Sequence, residues 1–175
     1  MAKWTSRQSI RQYAKDAYTK AMGEYVADLA VLGYEAIMYA YQQRGFQHKT
    51  RNLHDSYASA VYVNGKLEES SIRFVGPEIS HKGDRQTGKS GRETVMEYLR
   101  SPGVGVGGDI TLLCVAAMEY AKYLEDGTHK GGYHIQVISS AYDYIQSEWR
   151  RVEMNKPKEF KVVRARMITG GDYSI

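Results

Sequence analysis

The octapeptide Gly83-Asp84-Arg85-Gln86-Thr87-Gly88-Lys89-Ser90 satisfies the spacing G-x-x-x-x-G-K-[ST]. In a phosphate-binding loop of this form, backbone amides cradle phosphates, the lysine reaches the terminal phosphates and the serine holds Mg²⁺. Gly83, Gly88, Lys89 and Ser90 are therefore the cofactor-binding residues of one functional alternative, a small P-loop nucleotide-binding protein. Such a loop must leave a buried strand at its first glycine and open a helix at its lysine. Here Ser80-His81-Lys82 precedes it, polar and basic, and Gly91 stands where the helix would propagate, at a cost of about 1 kcal/mol relative to alanine. No strand–helix alternation surrounds the motif, so the segment reads as a glycine- and charge-rich loop.

The other reactive residue types are more scattered. Gly103-Val104-Gly105-Val106-Gly107-Gly108 has G-x-G spacing but no strand before it, and reads as a connector. His129 and His134 lie near Glu125 and Asp126, yet they flank Gly131-Gly132 with no helical or strand spacing to fix a metal. The single cysteine, Cys114, falls inside the apolar run Ile110–Met118 and reads as a buried small hydrophobe in a reducing compartment. No Ser/His/Asp grouping has a supporting motif. The sequence thus predicts no catalytic residue, no metal and no cofactor.

The elements that would position these residues point to one α+β domain across 1–175, with a small antiparallel sheet. Residues 1–45 form a long helix: Ile10, Tyr13, Ala17, Ala21, Tyr25, Leu29, Leu32, Ala36 and Ala40 recur at spacings of three and four. Gly23 and Gly33 could bend or divide it. An unbroken version would be on the order of 60 Å long, would protrude, and would need a partner. Residues 50–75 hold a capped turn at Thr50–Tyr57 and a β-hairpin, Ala58–Val63 and Lys66–Val75, about the Asn64-Gly65 turn. Residues 76–109 read as a long glycine-rich loop, with a short helix at Glu93–Arg100 as one reading. Residues 110–169 give strand, helix and strand: a central strand at Ile110–Met118, an amphipathic helix over about His134–Glu153, and a final strand at Phe160–Ile168. The helix would bury Ile135, Ile138, Tyr142, Ile145, Trp149 and Val152.

Composition excludes a membrane span, a cystine scaffold and a disordered chain: 42% of residues are apolar, 25% are charged, and there is one cysteine. The N-terminus lacks the apolar segment of a signal peptide. Tyrosine is abundant, 15 against 3 phenylalanines, which suits either the core's edge or a surface buried by a partner. Net charge is +4 over residues 1–51, −3 over 52–146 and +4 over 147–166. Such a division fits self-complementary packing, a solvated mixed surface, or a weak nucleic-acid-facing surface, and is too small to establish DNA binding.

Two segments resemble a family of tailed-phage proteins, the head–tail joining or tail-completion minor tail proteins of lambda-like siphophages. Lys49-Thr50-Arg51-Asn52-Leu53-His54-Asp55-Ser56 is similar to the family's "(T)-G-x-L-x-x-S" entry into a first hairpin, with Asn52 where the family usually has glycine. Glu119-Tyr120-Ala121-Lys122-Tyr123-Leu124-Glu125-Asp126-Gly127-Thr128 resembles its second signature, roughly Y-A-x-Y-x-E-x-G-T. The motif residues Leu53, Ser56, Tyr120, Ala121, Tyr123, Glu125, Gly127 and Thr128 read as folding residues around a turn. The resemblance implies a non-enzymatic virion protein made in the bacterial host cytoplasm. It would form a homo-oligomeric ring at the neck or top of the tail and join tail tube to connector. Neighbouring neck, connector and tail-tube proteins would be its partners, with passive contact to DNA in the channel and none to a membrane. Tyr34, Tyr39 and Tyr41, near the end of the long helix, are the candidate interface.

Overall fold

The computed structural model describes residues 7–43, 52–79, 88–105, 109–118, 121, 136–156 and 166–169. Helix α1 (Arg7–Gln42) runs through 36 residues without interruption, about 54 Å at 1.5 Å per residue. Neither Gly23 nor Gly33 divides it. Gly33 instead marks a close approach: a Cβ there would lie 2.8 Å from Ser59 Cβ and 2.9 Å from Leu112 Cδ1. The helix can settle onto the sheet at this point because the side chain is missing.

The face that α1 buries differs from the predicted stripe. Tyr25, Leu29, Leu32, Ala36 and Ala40 are buried with Met22 and Ile37, whereas Ile10, Tyr13 and Ala17 are exposed. Steps of four residues overshoot a helical turn by about 40° each. A run of them therefore winds around the helix, and the first members of the stripe finish on the side away from the core. From Gln8 to Ala21 no residue of α1 is fully buried. Tyr18 and Met22 are the first side chains along α1 to pack against the core.

After α1 come the short helix α2 (Asn52–Asp55), strand β1 (Tyr57–Val63), strand β2 (Lys66–Leu67), a 3-10 turn at Glu69–Ser71 and strand β3 (Arg73–Phe74). The Asn64-Gly65 turn forms as predicted, with φ of 51° and 73°, the left-handed pair that a two-residue hairpin requires. The return arm is not one strand. Beta2 pairs with the end of β1 and β3 with its start. Between them the Ser71 hydroxyl stands in for the missing ladder: Val61 N–H donates to Ser71 Oγ at 2.8 Å, and that hydroxyl donates to the Glu68 carbonyl at 2.6 Å. Ser71→Ala leaves the buried Val61 amide without this acceptor, and is expected to lower unfolding free energy by about 1–3 kcal/mol in urea titrations.

Within 76–109 the short helix read at Glu93–Arg100 forms as helix α3 (Gly91–Leu99), opening two residues earlier. Ser90 caps it: the Ser90 hydroxyl accepts the Glu93 N–H, and the Glu93 carboxylate accepts the Ser90 N–H. Strand β4 (Ile110–Ala116) is buried along its whole length. Helix α4 (Val137–Glu153) leads to strand β5 (Arg166–Thr169). The part of the predicted helix before residue 136, Ile135 included, and the part of the predicted last strand at 160–165 lie outside the described residues. Tyr142 is more exposed than its place on the predicted apolar face implies, and Ala141 and Val137 are buried beside Ile138, Ile145 and Val152.

Sheet order is β2-β1-β4-β5, with β3 also on β1. All pairs with β1 are antiparallel, as expected, but β5 joins β4 in parallel. The physical reason is α4, which carries the chain back along the sheet so that β5 enters from the same end as β4. Alternate residues of β1 and β4 divide between two layers. Tyr57, Val61, Leu112 and Cys114 face the α1–α4 side; Ala58, Ala60, Tyr62, Leu113 and Val115 face the α3 side. On that second side Tyr62 OH donates to the Leu99 carbonyl at 2.8 Å and closes the end of α3 onto the sheet. Gly105 packs on the same ring, where any Cβ would overlap it at 2.2 Å.

Candidate interaction surface

The first motif segment is interior. Asn52, Leu53, His54, Asp55 and Ser56 are all buried. Ser56 Oγ donates to the Leu53 carbonyl at 2.8 Å and closes the turn that delivers the chain into β1. Beside it, His54 Nδ1 lies 2.8 Å from Asp55 Oδ1, and the Ile79 amide donates to both Asp55 oxygens at 3.2 Å. Tyr41 meets the His54 ring edge-on, with centroids 5.1 Å apart. The Arg92 guanidinium donates to the Gly76 carbonyl and lies over the Phe74 ring, 4.5 Å from its centroid. The end of α1, α2, the chain after β3 and the start of α3 are thereby joined by polar contacts under cover. Leu53 and Ser56 take the folding roles expected of them. The roles of His54, Asp55 and Arg92 were not legible beforehand, although an Asn-x-His-Asp-Ser run directly before a strand is a usable sign of a buried polar junction.

Of the second motif, Tyr120, Tyr123, Glu125, Gly127 and Thr128 lie outside the described residues, as do His129 and His134. Ala121 is described: it is buried, and its N–H donates to the Met118 carbonyl at 2.9 Å. Among the described residues no group of three or more His, Cys, Asp or Glu side chains could hold a metal. Cys114 is buried, and burial pushes its thiol up to about 12, which disfavours the reactive thiolate.

Gly83 also lies outside the described residues, but the far end of its motif is clear. Gly88 has a φ of +70°. Lys89 forms an ion pair with Glu97 one face up α3, and the Ser90 hydroxyl is the N-cap. The helix opens at Gly91, two residues beyond the lysine. Lys89 and Ser90 are thus engaged in steadying and starting α3. Titration calorimetry with Mg-ATP and Mg-GTP is expected to give no binding heat. Lys89→Ala should change stability by no more than about 1 kcal/mol, because its ion pair is exposed. Saturable heat abolished by Lys89→Ala would establish the nucleotide site instead.

The surface offers more than the interior. Alpha1 and α4 pack antiparallel, with Glu35 paired to Arg151 and Asp28 accepting from Asn155 at 2.9 Å. Along the same rim Tyr39 stacks against Tyr144 at 5.1 Å. Tyr34 and Tyr39, two of the three candidate interface residues, stand exposed. Tyr41 does not join them. It turns inward against His54 and Tyr57, so this third interface residue is reassigned to the junction. Tyrosine as a class divides: Tyr25, Tyr57, Tyr62 and Tyr98 are buried, while Tyr13, Tyr34, Tyr39 and Tyr142 are exposed.

No helix among the described residues is long and apolar enough to cross a membrane. Comparison with known proteins found no matching family, no matching curated protein and no matching solved structure.

Proposed function

We propose that this chain is a structural protein of a tailed-phage virion that forms a ring at the head–tail junction and joins the tail tube to the connector. The observation that carries the reading is α1: 36 residues long, with the large apolar side chains Ile10 and Tyr13 exposed near its start and Val31 and Tyr34 exposed farther along. A compact domain gains nothing from such a helix by itself, whereas a subunit of an assembly gains a surface to bury. The two sequence segments that resemble head–tail joining proteins support the same reading. So does the use of Leu53 and Ser56 in a turn rather than in chemistry.

Ring closure requires a heterologous contact repeated by rotation. The Tyr39–Tyr144 rim is the surface available to it. Neck, connector and tail-tube proteins are the proposed partners, and the basic residues toward either end would meet DNA only in passing. The chain would be made in the bacterial host cytoplasm and end in the virion. Deleting its gene from the phage tests the reading: filled heads and unattached tails should accumulate, and the wild-type chain should appear in purified virions by mass spectrometry. Intact infectious particles without the chain would refute it.

A further inference from the structure

The side of α1 opposite the core carries a second repeat, independent of the buried one. From Ile10 to Tyr34 a residue falls on this outer line at steps of three and four in strict alternation, the spacing of a coiled-coil seam. Its two ends are apolar: Ile10 and Tyr13 are 56% and 61% exposed, and Val31 and Tyr34 are 49% and 38% exposed. Its middle is charged, with Lys20 and Glu24 in a loose ion pair of 3.9 Å within the helix. Exposed alanines, Ala17 and Ala27, separate the middle from the ends.

This order reads the same way from either direction about residue 22. We infer that α1 pairs through this face with α1 of a second copy of the chain, antiparallel, about a two-fold axis near residue 22. Ile10 then meets the partner's Tyr34, Tyr13 meets the partner's Val31, and Ala17 meets the partner's Ala27. Lys20 meets the partner's Glu24, and the two-fold repeats every contact. Charge selects the orientation. A parallel pair in register would set lysine on lysine and glutamate on glutamate, whereas the antiparallel pair sets each lysine on a glutamate. The small alanines beside the charged pairs allow the helices to approach within the usual 8–10 Å or so.

The shape agrees. No residue of α1 from Gln8 to Ala21 is fully buried, and the second half is seated on the sheet with Glu24, Ala27, Val31 and Tyr34 exposed on its outer side. In the antiparallel pair the first half of each helix covers the exposed outer side of the other's seated half. The overlap from Ile10 to Tyr34 is about 36 Å long, and the two bodies stand at opposite ends and on opposite sides of the seam.

The inference does not rest on the ring reading, since a two-fold contact is isologous and a ring closes by a heterologous one. Sedimentation velocity on the full chain at micromolar concentration should show a two-chain species. Lys20→Glu gathers four glutamates at the centre and should raise the dissociation constant at least about tenfold, while Lys20→Glu combined with Glu24→Lys should restore it. Both positions are exposed, and unchanged far-UV circular dichroism checks that each variant is folded. Under mild oxidation, Ala17→Cys mixed with Ala27→Cys should give a disulfide-linked pair, and neither variant alone should. A monomer throughout, an assembly indifferent to Lys20→Glu, absence of the mixed disulfide, or Ala17→Cys linking to itself would overturn the inference.

Discussion

Gly91→Ala is expected to destabilise the protein by roughly 3 kcal/mol or more, read as a fall in the urea midpoint at constant slope. Helix propensity alone predicts the opposite sign, because alanine is favoured over glycine by about 1 kcal/mol within a helix. Packing outweighs propensity at this position. A Cβ on Gly91 would lie 2.1 Å from the Asn52 carbonyl oxygen and 2.9 Å from the Ser56 nitrogen. Both are backbone atoms of the buried turn into β1, and neither can swing aside as a side-chain tip could. To admit a methyl group, α3 must lift from α2. That movement loosens the Arg92 contacts to Gly76 and Phe74 and the cover over His54 and Asp55. A neutral or stabilising result would mean that α3 and α2 do not touch as described.

Alkaline pH should unfold the protein through a small set of buried acids. Burial pushes the Cys114 thiol from 9.0 up to about 12. It pushes the Tyr25 hydroxyl from 10.0 up to about 12, with lesser contributions from Glu153 and Asp28. Tyr62 is raised further still, again mainly by burial. In the unfolded chain these groups lose their protons near the ordinary values, so between the two values the unfolded state holds fewer protons. Stability is therefore full below about pH 9 and falls as pH rises toward 12, by up to about 1.4 kcal/mol per unit for each group. The melting temperature should hold steady to pH 8 with respect to these groups and drop steeply above pH 9. Cys114→Ala should move the onset up toward pH 10, where the tyrosines take over. A flat profile to pH 11 would show that these side chains are not buried.

Much of this fold is local enough to be read in the chain. Asn64-Gly65 has one comfortable conformation, and it dictates the hairpin. The branched run at Ile110–Ala116 cannot be exposed, and it becomes the strand buried on both faces. The length of α1 follows from its composition. What escaped depends on neighbours distant in sequence. Gly91 looks like a helix breaker until Asn52 is found against it. The return arm of the hairpin looks continuous until Ser71 is seen replacing a ladder bond. The stripe on α1 mixed two faces because steps of four rotate around a helix, and only burial separates Tyr25 and Leu29 from Ile10 and Tyr13. The parallel placement of β5 could not be told from alternation, since pairing direction is decided by the path through α4. Of the candidate residues, Leu53 and Ser56 lie in the buried turn before β1, Tyr34 and Tyr39 are exposed, and Tyr41 packs against His54 and Tyr57.

This chain is proposed to act by assembling at the neck of a virion. Electron microscopy of the purified protein mixed with the connector and tail-tube proteins of the same phage tests it most directly. Closed rings with an open centre, seated between connector and tail tube, are expected. Single-chain or two-chain particles that never join either partner would contradict it.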